Sequence, residues 1–236
     1  MTEKAPLYSG KAKSVYRSET DHEYLIEFRD DITAFDGGKK DELQGKGSIN
    51  AKVSAFIFRL LERNGIDTHF LKMEDNGLMR VKELKMLPLE IIVRNVAAGS
   101  VVRNYPFTEG KPFHPPIIVI DYKDDSLHDP MLNDELIIAL DIITSEELTL
   151  IKKIAHHVNS VLKSHLEKCN LTLVDFKLEF GWCYDKLTVG DEISMDSMRI
   201  WEEGTRKSLD KDVYRFEKGD VMTTYHIVAQ RIITDE

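Results

Sequence analysis

The segment Leu173-Val174-Asp175-Phe176-Lys177-Leu178-Glu179-Phe180-Gly181 constrains the chain most, because it alternates apolar and charged residues with a period of two. Successive side chains of a strand point to opposite faces. The pattern therefore predicts Val174, Phe176, Leu178 and Phe180 on a buried face, with Asp175, Lys177 and Glu179 on the other. A row of charges is costly inside a protein unless something pairs with it, whereas on a solvated face it is unremarkable. Gly190-Asp191-Glu192 follows shortly, and a turn at Gly190 brings two more acids toward the strand. Hard divalent cations such as Mg²⁺ take carboxylate oxygens together with substrate phosphates, and clustered titratable groups are candidate functional sites. We read this strand as one that bears metal and substrate.

A chain of 236 residues accommodates one large domain or two modest ones. With 32 basic against 41 acidic side chains the net charge is -9. Such a chain repels polyanions, which argues against nucleic acid or an anionic membrane as partner. Any anionic ligand must be small and held by a local basic cluster. The first residues lack the apolar core of a signal peptide, and no apolar run is long enough to cross a bilayer. Cys169 and Cys183 sit in no metal-like spacing and read as packing residues of a reduced, cytoplasmic protein.

Short β-type runs at 14–17 and 24–28 flank the polar turn Ser18-Glu19-Thr20-Asp21. Residues 36–47 are rich in glycine and charge and read as a mobile loop. Ser48 caps a helix with Val53, Phe56, Ile57, Leu60 and Leu61 at helical spacing, and Gly65 stops it. Residues 69–73 and 78–85 form a hairpin around Asn76-Gly77. Lys85-Met86-Leu87-Pro88 is the candidate boundary between a β-rich lobe, 1–85, and a larger α/β lobe, 86–236, since proline is excluded from strand interiors. Beyond it lie a strand at 90–96, the small residues Ala97-Ala98-Gly99-Ser100 opening a short helix, and a proline-rich loop (Pro106, Pro112, Pro115, Pro116) before a strand at 117–122. Thr144-Ser145-Glu146-Glu147 is a capping box for a long helix whose stripe Leu148, Ile151, Ala155, Val158, Leu162 and Leu166 is core. His156, His157 and His165 on that helix match no metal-ligand pattern. A last helix carries Met222, Tyr225, Val228, Ala229 and Ile232 on one side. The class is α+β in two lobes.

Tyr8-Ser9-Gly10-Lys11-Ala12-Lys13 has one glycine and matches neither a P-loop nor a Gly-x-Gly-x-x-Gly turn. A charged turn is the plainer reading, although two lysines at alternate positions are able to hold phosphate oxygens. Arg94 ends an apolar run and is a bidentate partner for phosphate or carboxylate, and the small residues after it expose backbone N–H groups at a helix start. A surface arginine at an ordinary turn is the equal alternative. The mixed-charge stretches 123–130, 194–201 and 208–215 each read singly as surface.

Together the blocks resemble the SAICAR synthetase family, the phosphoribosylaminoimidazole-succinocarboxamide synthases of purine biosynthesis. The resemblance runs from Gly10-Lys11-Ala12-Lys13 through Ala34-Phe35-Asp36-Gly37, Lys46-Gly47-Ser48-Ile49-Asn50, Val93-Arg94-Asn95, Lys123-Asp124-Asp125, His128-Asp129-Pro130, the strand 174–181, Asp191-Glu192 and 196–201 to Asp210-Lys211. It implies a two-lobed, ATP-grasp-like α+β fold with nucleotide between the lobes. It also implies an ATP-dependent C–N ligase that converts carboxyaminoimidazole ribonucleotide (CAIR), L-aspartate and ATP to SAICAR, ADP and phosphate. By the same resemblance Lys11, Ala12, Lys13 and Lys123 approach the ATP phosphates, and Val15, Lys82, Leu84 and Met86 surround adenine. Glu179 and Asp191 bind ATP through Mg²⁺. Arg94, Ser100 and Arg199 hold the ribonucleotide phosphate, with Asp129, Asp175 and Lys177 near the imidazole and its carboxylate. Lys177, Asp175 and Lys123 are the catalytic candidates. Asp36, Lys211 and Arg215 lie in segments that close over the L-aspartate side, and a homodimer is expected. Met195 stands where the family usually has proline, which predicts a looser loop ahead of Arg199. Two other classes stay open on the residues: a small-molecule kinase of the inositol-phosphate kinase type, and a nonenzymatic nucleotide-binding module, against which the paired acids Glu179 and Asp191 argue.

Overall fold

The structure, a computed structural model, describes residues 5–35, 37–75 and 77–234. Polar turns cut the first third into β1 (Tyr8–Ser9), β2 (Lys13–Arg17), β3 (Glu23–Phe28), β4 (Asp31–Ala34) and β5 (Lys39–Glu42), followed by α1 (Lys46–Arg63), β6 (Phe70–Asp75) and β7 (Leu78–Lys82). The rest contains β8 (Lys85–Val96), α2 (Ser100–Asn104), β9 (Pro112–Tyr122), β10 (Met131–Leu132), α3 (Asp134–Ala139) and α4 (Ser145–Lys168). It ends with β11 (Leu171–Cys183), β12 (Lys186–Gly190), β13 (Met198–Glu202), α5 (Asp212–Arg215) and α6 (Val221–Ile232). One sheet has the order β1-β2-β3-β7-β6. A second runs β10-β9-β8-β11-β12, with β13 beside the first half of β11, and β4 and β5 pair with each other.

The long helix forms as its pattern requires. The Thr144 hydroxyl accepts the Glu147 N–H and the Glu147 carboxylate accepts the Thr144 N–H, satisfying two of the donors a helix start leaves free. Leu148, Ile151, Ala155, Val158, Leu162 and Leu166 are all buried. They share one core with Phe176, Leu178 and Phe180 of β11, Phe58 and Leu61 of α1, and Tyr225, Val228 and Ile232 of α6.

Several expectations are corrected by tertiary pairing. Val174 does not join Phe176, Leu178 and Phe180. The register of β11 on β13 shifts between Leu173 and Asp175, so Leu171 and Leu173 before the bulge and Phe176 after it all reach the main core. Val174 packs instead with Ala98 and Trp201. Pro88 does not interrupt its strand: β8 runs through it, and the β8–β11 register shifts between Glu179 and Gly181, a bulge at which a missing N–H costs nothing. Pro112, Pro115 and Pro116 lie inside β9, whose outer edge meets β10 only at Ile120 and Asp121.

The segment 36–47 is less of a loop than its composition suggests. Residues 39–42 form β5, and α1 starts at Lys46 with Gly45, not Ser48, at its N-cap. Gly45 offers no side chain, so the Asp30 carboxylate accepts the N–H groups of Gly45 and Gly47, each at 2.9 Å. A Cβ on Gly47 would stand 2.1 Å from the Phe28 carbonyl oxygen, so only glycine permits this approach. The stretches 194–201 and 208–215 are not surface either: Ser194, Met195 and Asp210 are fully buried. Met195 anchors in the core the loop expected to be loose. Asp36 and Asn76 lie outside the described residues.

Candidate active site

The register of its neighbours decides what each charged residue of β11 meets. Glu179 lies opposite Glu90 of β8 on one side and Gly190 of β12 on the other. Lys177 Nζ donates to Glu179 Oε1 at 2.7 Å and to Glu90 Oε1 at 2.9 Å, and stands 3.8 Å from Asp191 Oδ2. Lys123, just beyond β9, reaches the other oxygen of Glu179. Lys13 of the first sheet donates to Asp191 Oδ1 and pairs with Glu192 Oε1 at 2.9 Å. Each acid is paired, which is what makes its burial tolerable. Burial works against the Lys177 ammonium, but Glu179, Asp191 and Glu90 outweigh it and hold the amine well above the usual lysine range. Burial likewise opposes the Asp191 carboxylate, and Lys13, Lys177 and Lys123 prevail and keep it ionised. Burial pushes His69, whose Nε2 has no partner among the described residues, down to about 3, so it is neutral.

Four residues earlier on the same strand lies a second cluster. Asp175 has Arg94 of β8 opposite it on one side and Arg199 of β13 on the other. Its Oδ2 accepts from Arg94 at 3.0 Å, and both oxygens accept from Arg199, at 2.8 and 3.1 Å. Arg94 also donates to the Ser100 hydroxyl at 2.9 Å, while its Nε is buried with no acceptor among the described residues. Gly99, with φ +62°, lets the Arg199 guanidinium lie against the chain, since a Cβ there would meet it at 2.6 Å. Arg199 Nε donates to Asp212 Oδ2 at 2.9 Å, and Arg215 donates to the other oxygen of Asp212.

Leu84, in the link between the two sheets, and Met86, at the start of β8, pass over Gly181 and Gly190. A Cβ at either glycine would come within about 3 Å of them, at 2.9 Å from Leu84 Cβ and 3.0 Å from Leu84 Cδ1. Met86 is 42% exposed, an apolar surface directly beside the Asp191 cluster. The site thus offers an apolar strip, lysines interleaved with acids, and an arginine pair with a spare donor.

The family model described as SAICAR synthetase matches residues 6–232. The phosphoribosylaminoimidazole-succinocarboxamide synthase of Methanoregula boonei is 64% identical over 232 residues, covering 98% of this chain and 91% of that protein. A solved SAICAR synthetase in complex with ADP superposes with a TM-score of 0.94 at 44% identity, over 97% of this chain and 98% of that one. The SAICAR synthetase of Pyrococcus horikoshii gives 0.90 at 45% identity, over 94% and 97% of the two chains. The chain belongs to the SAICAR synthetase family.

Its expected SAICAR synthetase residues sort by where the fold puts them. Lys13, Lys123, Lys177, Glu179 and Asp191 share the first cluster, and Arg94, Ser100, Asp175 and Arg199 the second, with Arg215 joined through Asp212. Leu84 is partly exposed and Met86 exposed at the strip, while Val15 is partly exposed on β2 and packs against the main core. Lys82 turns its ammonium to the Thr68 carbonyl and its backbone N–H to the His69 carbonyl. The Ala12 carbonyl accepts from the Arg29 N–H. Lys11 stands on an exposed rim, 2.9 Å from Asp125. Asp129 accepts the Asp124 N–H and so closes its own turn. Lys211 lies within electrostatic reach of Asp196, Arg215, Lys46 and Glu192, and burial lowers its amine. Glu192, expected with Asp191 beside the strand, pairs with Lys13, whereas sequence reasoning missed Glu90, Asp121 and Asp212. Asp121 lies opposite Glu90, and burial with Glu90 pushes its carboxyl up to about 6. Acids at these places are visible in the sequence, but only strand register shows which cations they face.

Proposed function

We infer that the two clusters divide one ligase reaction between them. The chain is an ATP-dependent C–N ligase that forms SAICAR from CAIR, L-aspartate and ATP in purine biosynthesis. That identity leaves no place for the kinase and binding-module alternatives. A carboxylate is not attacked directly by an amine, because oxide is too poor a leaving group. Transfer of the γ-phosphoryl group from ATP to the CAIR carboxylate releases ADP and makes an acyl phosphate; the amine of L-aspartate then attacks its carbonyl carbon, forms the C–N bond and expels phosphate, losing a proton. Such transfer demands positioning and charge stabilisation above all.

The observation that carries the assignment is the split of β11: Glu179 sits among lysines at one end, and Asp175 between two arginines at the other. In this reading Lys13, Lys123 and the rim residue Lys11 hold ATP phosphates, with adenine on Val15, Leu84, Met86 and the Lys82 backbone. Lys177 remains protonated and stabilises the CAIR carboxylate as it is phosphorylated; it is no general base. Arg94, Arg199 and Ser100 bind the ribonucleotide phosphate, Arg94 Nε being the free donor. Asp175 orients both guanidiniums, and Asp129, Lys211 and Arg215 face the remaining substrate groups.

Among the described residues no three acidic, histidine or cysteine side chains converge as a self-sufficient metal cage. Glu179 and Asp191 nevertheless face one cation already, Lys177 Nζ, at 2.7 and 3.8 Å. Two carboxylates completed by phosphate oxygens suit Mg²⁺. We assign them to it; bound there, the ion neutralises phosphate charge. Two lobes divided at 85/86, a homodimer and a cytoplasmic location complete the proposal. No helix among the described residues is long and apolar enough to cross a membrane.

Incubation with ATP, Mg²⁺, CAIR and L-aspartate should yield SAICAR and ADP, with each omission abolishing product. Phosphate transfer to a stable product without L-aspartate would refute the ligase reading.

A further inference from the structure

The hairpin of β4 and β5 is hydrogen bonded to no other strand among the described residues. Its Ile32 and Ala34 pack with Tyr214 of α5 in a small cluster separate from the main core. Three residues on the hairpin side, Phe35, Lys39 and Asp41, tie it to the α5 segment. The Tyr214 hydroxyl donates to Asp41 Oδ2 at 2.8 Å. Lys39 Nζ donates to the Tyr214 carbonyl oxygen at 3.0 Å, pairs with Glu217 at 3.0 Å, and lies 4.5 Å from the centre of the Tyr214 ring. Phe35 meets Phe216 edge-on at 6.3 Å between centroids. Burial and the Asp41 hydrogen bond push the Tyr214 phenol up to about 12, so it is a donor at neutral pH.

The opposite side of this turn is wired to the arginine cluster, since Asp212 accepts from both Arg199 and Arg215. A helix of four residues has no stability of its own, so its position is set by what grips it. We propose that Tyr214 is a positioning residue: held by Asp41, it clamps the hairpin to α5 and thereby places Lys211 and Arg215 at the two ends of that turn. The proposal rests on the reading in which these two cations face L-aspartate.

Tyr214→Phe removes one hydroxyl and keeps the ring, and Asp41→Ala removes the acceptor from an exposed position. With each substrate varied in turn, either change should raise KM for L-aspartate about three- to tenfold, the span of one net hydrogen bond, and leave KM for ATP within about twofold. The double variant should be no worse than either single one, because both remove the same bond. Amide exchange in residues 39–42 should quicken in Tyr214→Phe while the thermal midpoint stays near that of the wild type. Equal rises for ATP and L-aspartate, compounding in the double variant, or unchanged KM and unchanged exchange would each overturn the proposal. Absence of SAICAR formation by the wild type would overturn the parent reading as well, so the two failures are distinguishable.

Discussion

Glu179 is 2% exposed and pairs with Lys123 and Lys177, while Asp191, partly buried, is kept ionised by Lys13, Lys177 and Lys123. Glu179→Gln and Asp191→Asn keep shape and remove charge. Each should cut SAICAR formation at least about hundredfold, the scale of losing one preorganised electrostatic group, with circular dichroism unchanged. Near-normal turnover at saturating Mg²⁺ would remove these acids from the phosphate site. Asp210 is a different case. It is fully buried, and burial together with Asp212 pushes its carboxyl up to about 7, above the ordinary value of about 3.9. Between those values the folded chain holds a proton that the unfolded chain releases, so this group's contribution to stability falls as pH rises from about 4 to about 7. Asp210→Asn cannot ionise. Its melting temperature relative to the wild type should therefore climb across that window and level off above it; a difference independent of pH would show that Asp210 does not titrate there.

Among the elements, α1 shows most clearly how local and distant sequence cooperate. Its apolar stripe specifies a helix, but its start is fixed by Asp30, sixteen residues before Lys46, through the Gly45 and Gly47 N–H groups. Asp30→Ala should cost about 1–2 kcal/mol, as for other lost N-caps. Gly47→Ala should cost more, because its Cβ would stand 2.1 Å from the Phe28 carbonyl oxygen and backbone, unlike a side chain, has no rotamer to give. Urea titration measures both; a Gly47→Ala loss smaller than that of Asp30→Ala would contradict the close approach. The strand β11 makes the complementary point. Its alternation was readable, and so was its charged face, but the bulge at Val174 and the partners of Asp175 and Glu179 belong to β8, β12 and β13.

For the molecule as a whole, one buried ion pair joins distant parts of the chain. Lys46 at the start of α1 is 1% exposed and lies 2.7 Å from Asp196, which also accepts from the Tyr225 hydroxyl of α6 at 2.7 Å. Lys46→Met strands a buried carboxylate and should cost about 3–5 kcal/mol. Adding Asp196→Asn should recover part of that loss, since no unpaired charge then remains. A neutral Lys46→Met, read by thermal melting, would mean that water already reaches the pair. By itself the sequence determined the α+β class, the capping box and stripe of α4, the family, and the residue types of the site, because periodicity, capping and ordered motifs are local properties. Tertiary structure alone decided that Pro88 lies within a central strand, that 194–201 and 208–215 are interior, and that Glu90 and Asp212 complete the clusters. The physical reason is register: cross-strand partners come from segments tens of residues apart, and their alignment is settled by how the whole sheet buries its apolar face.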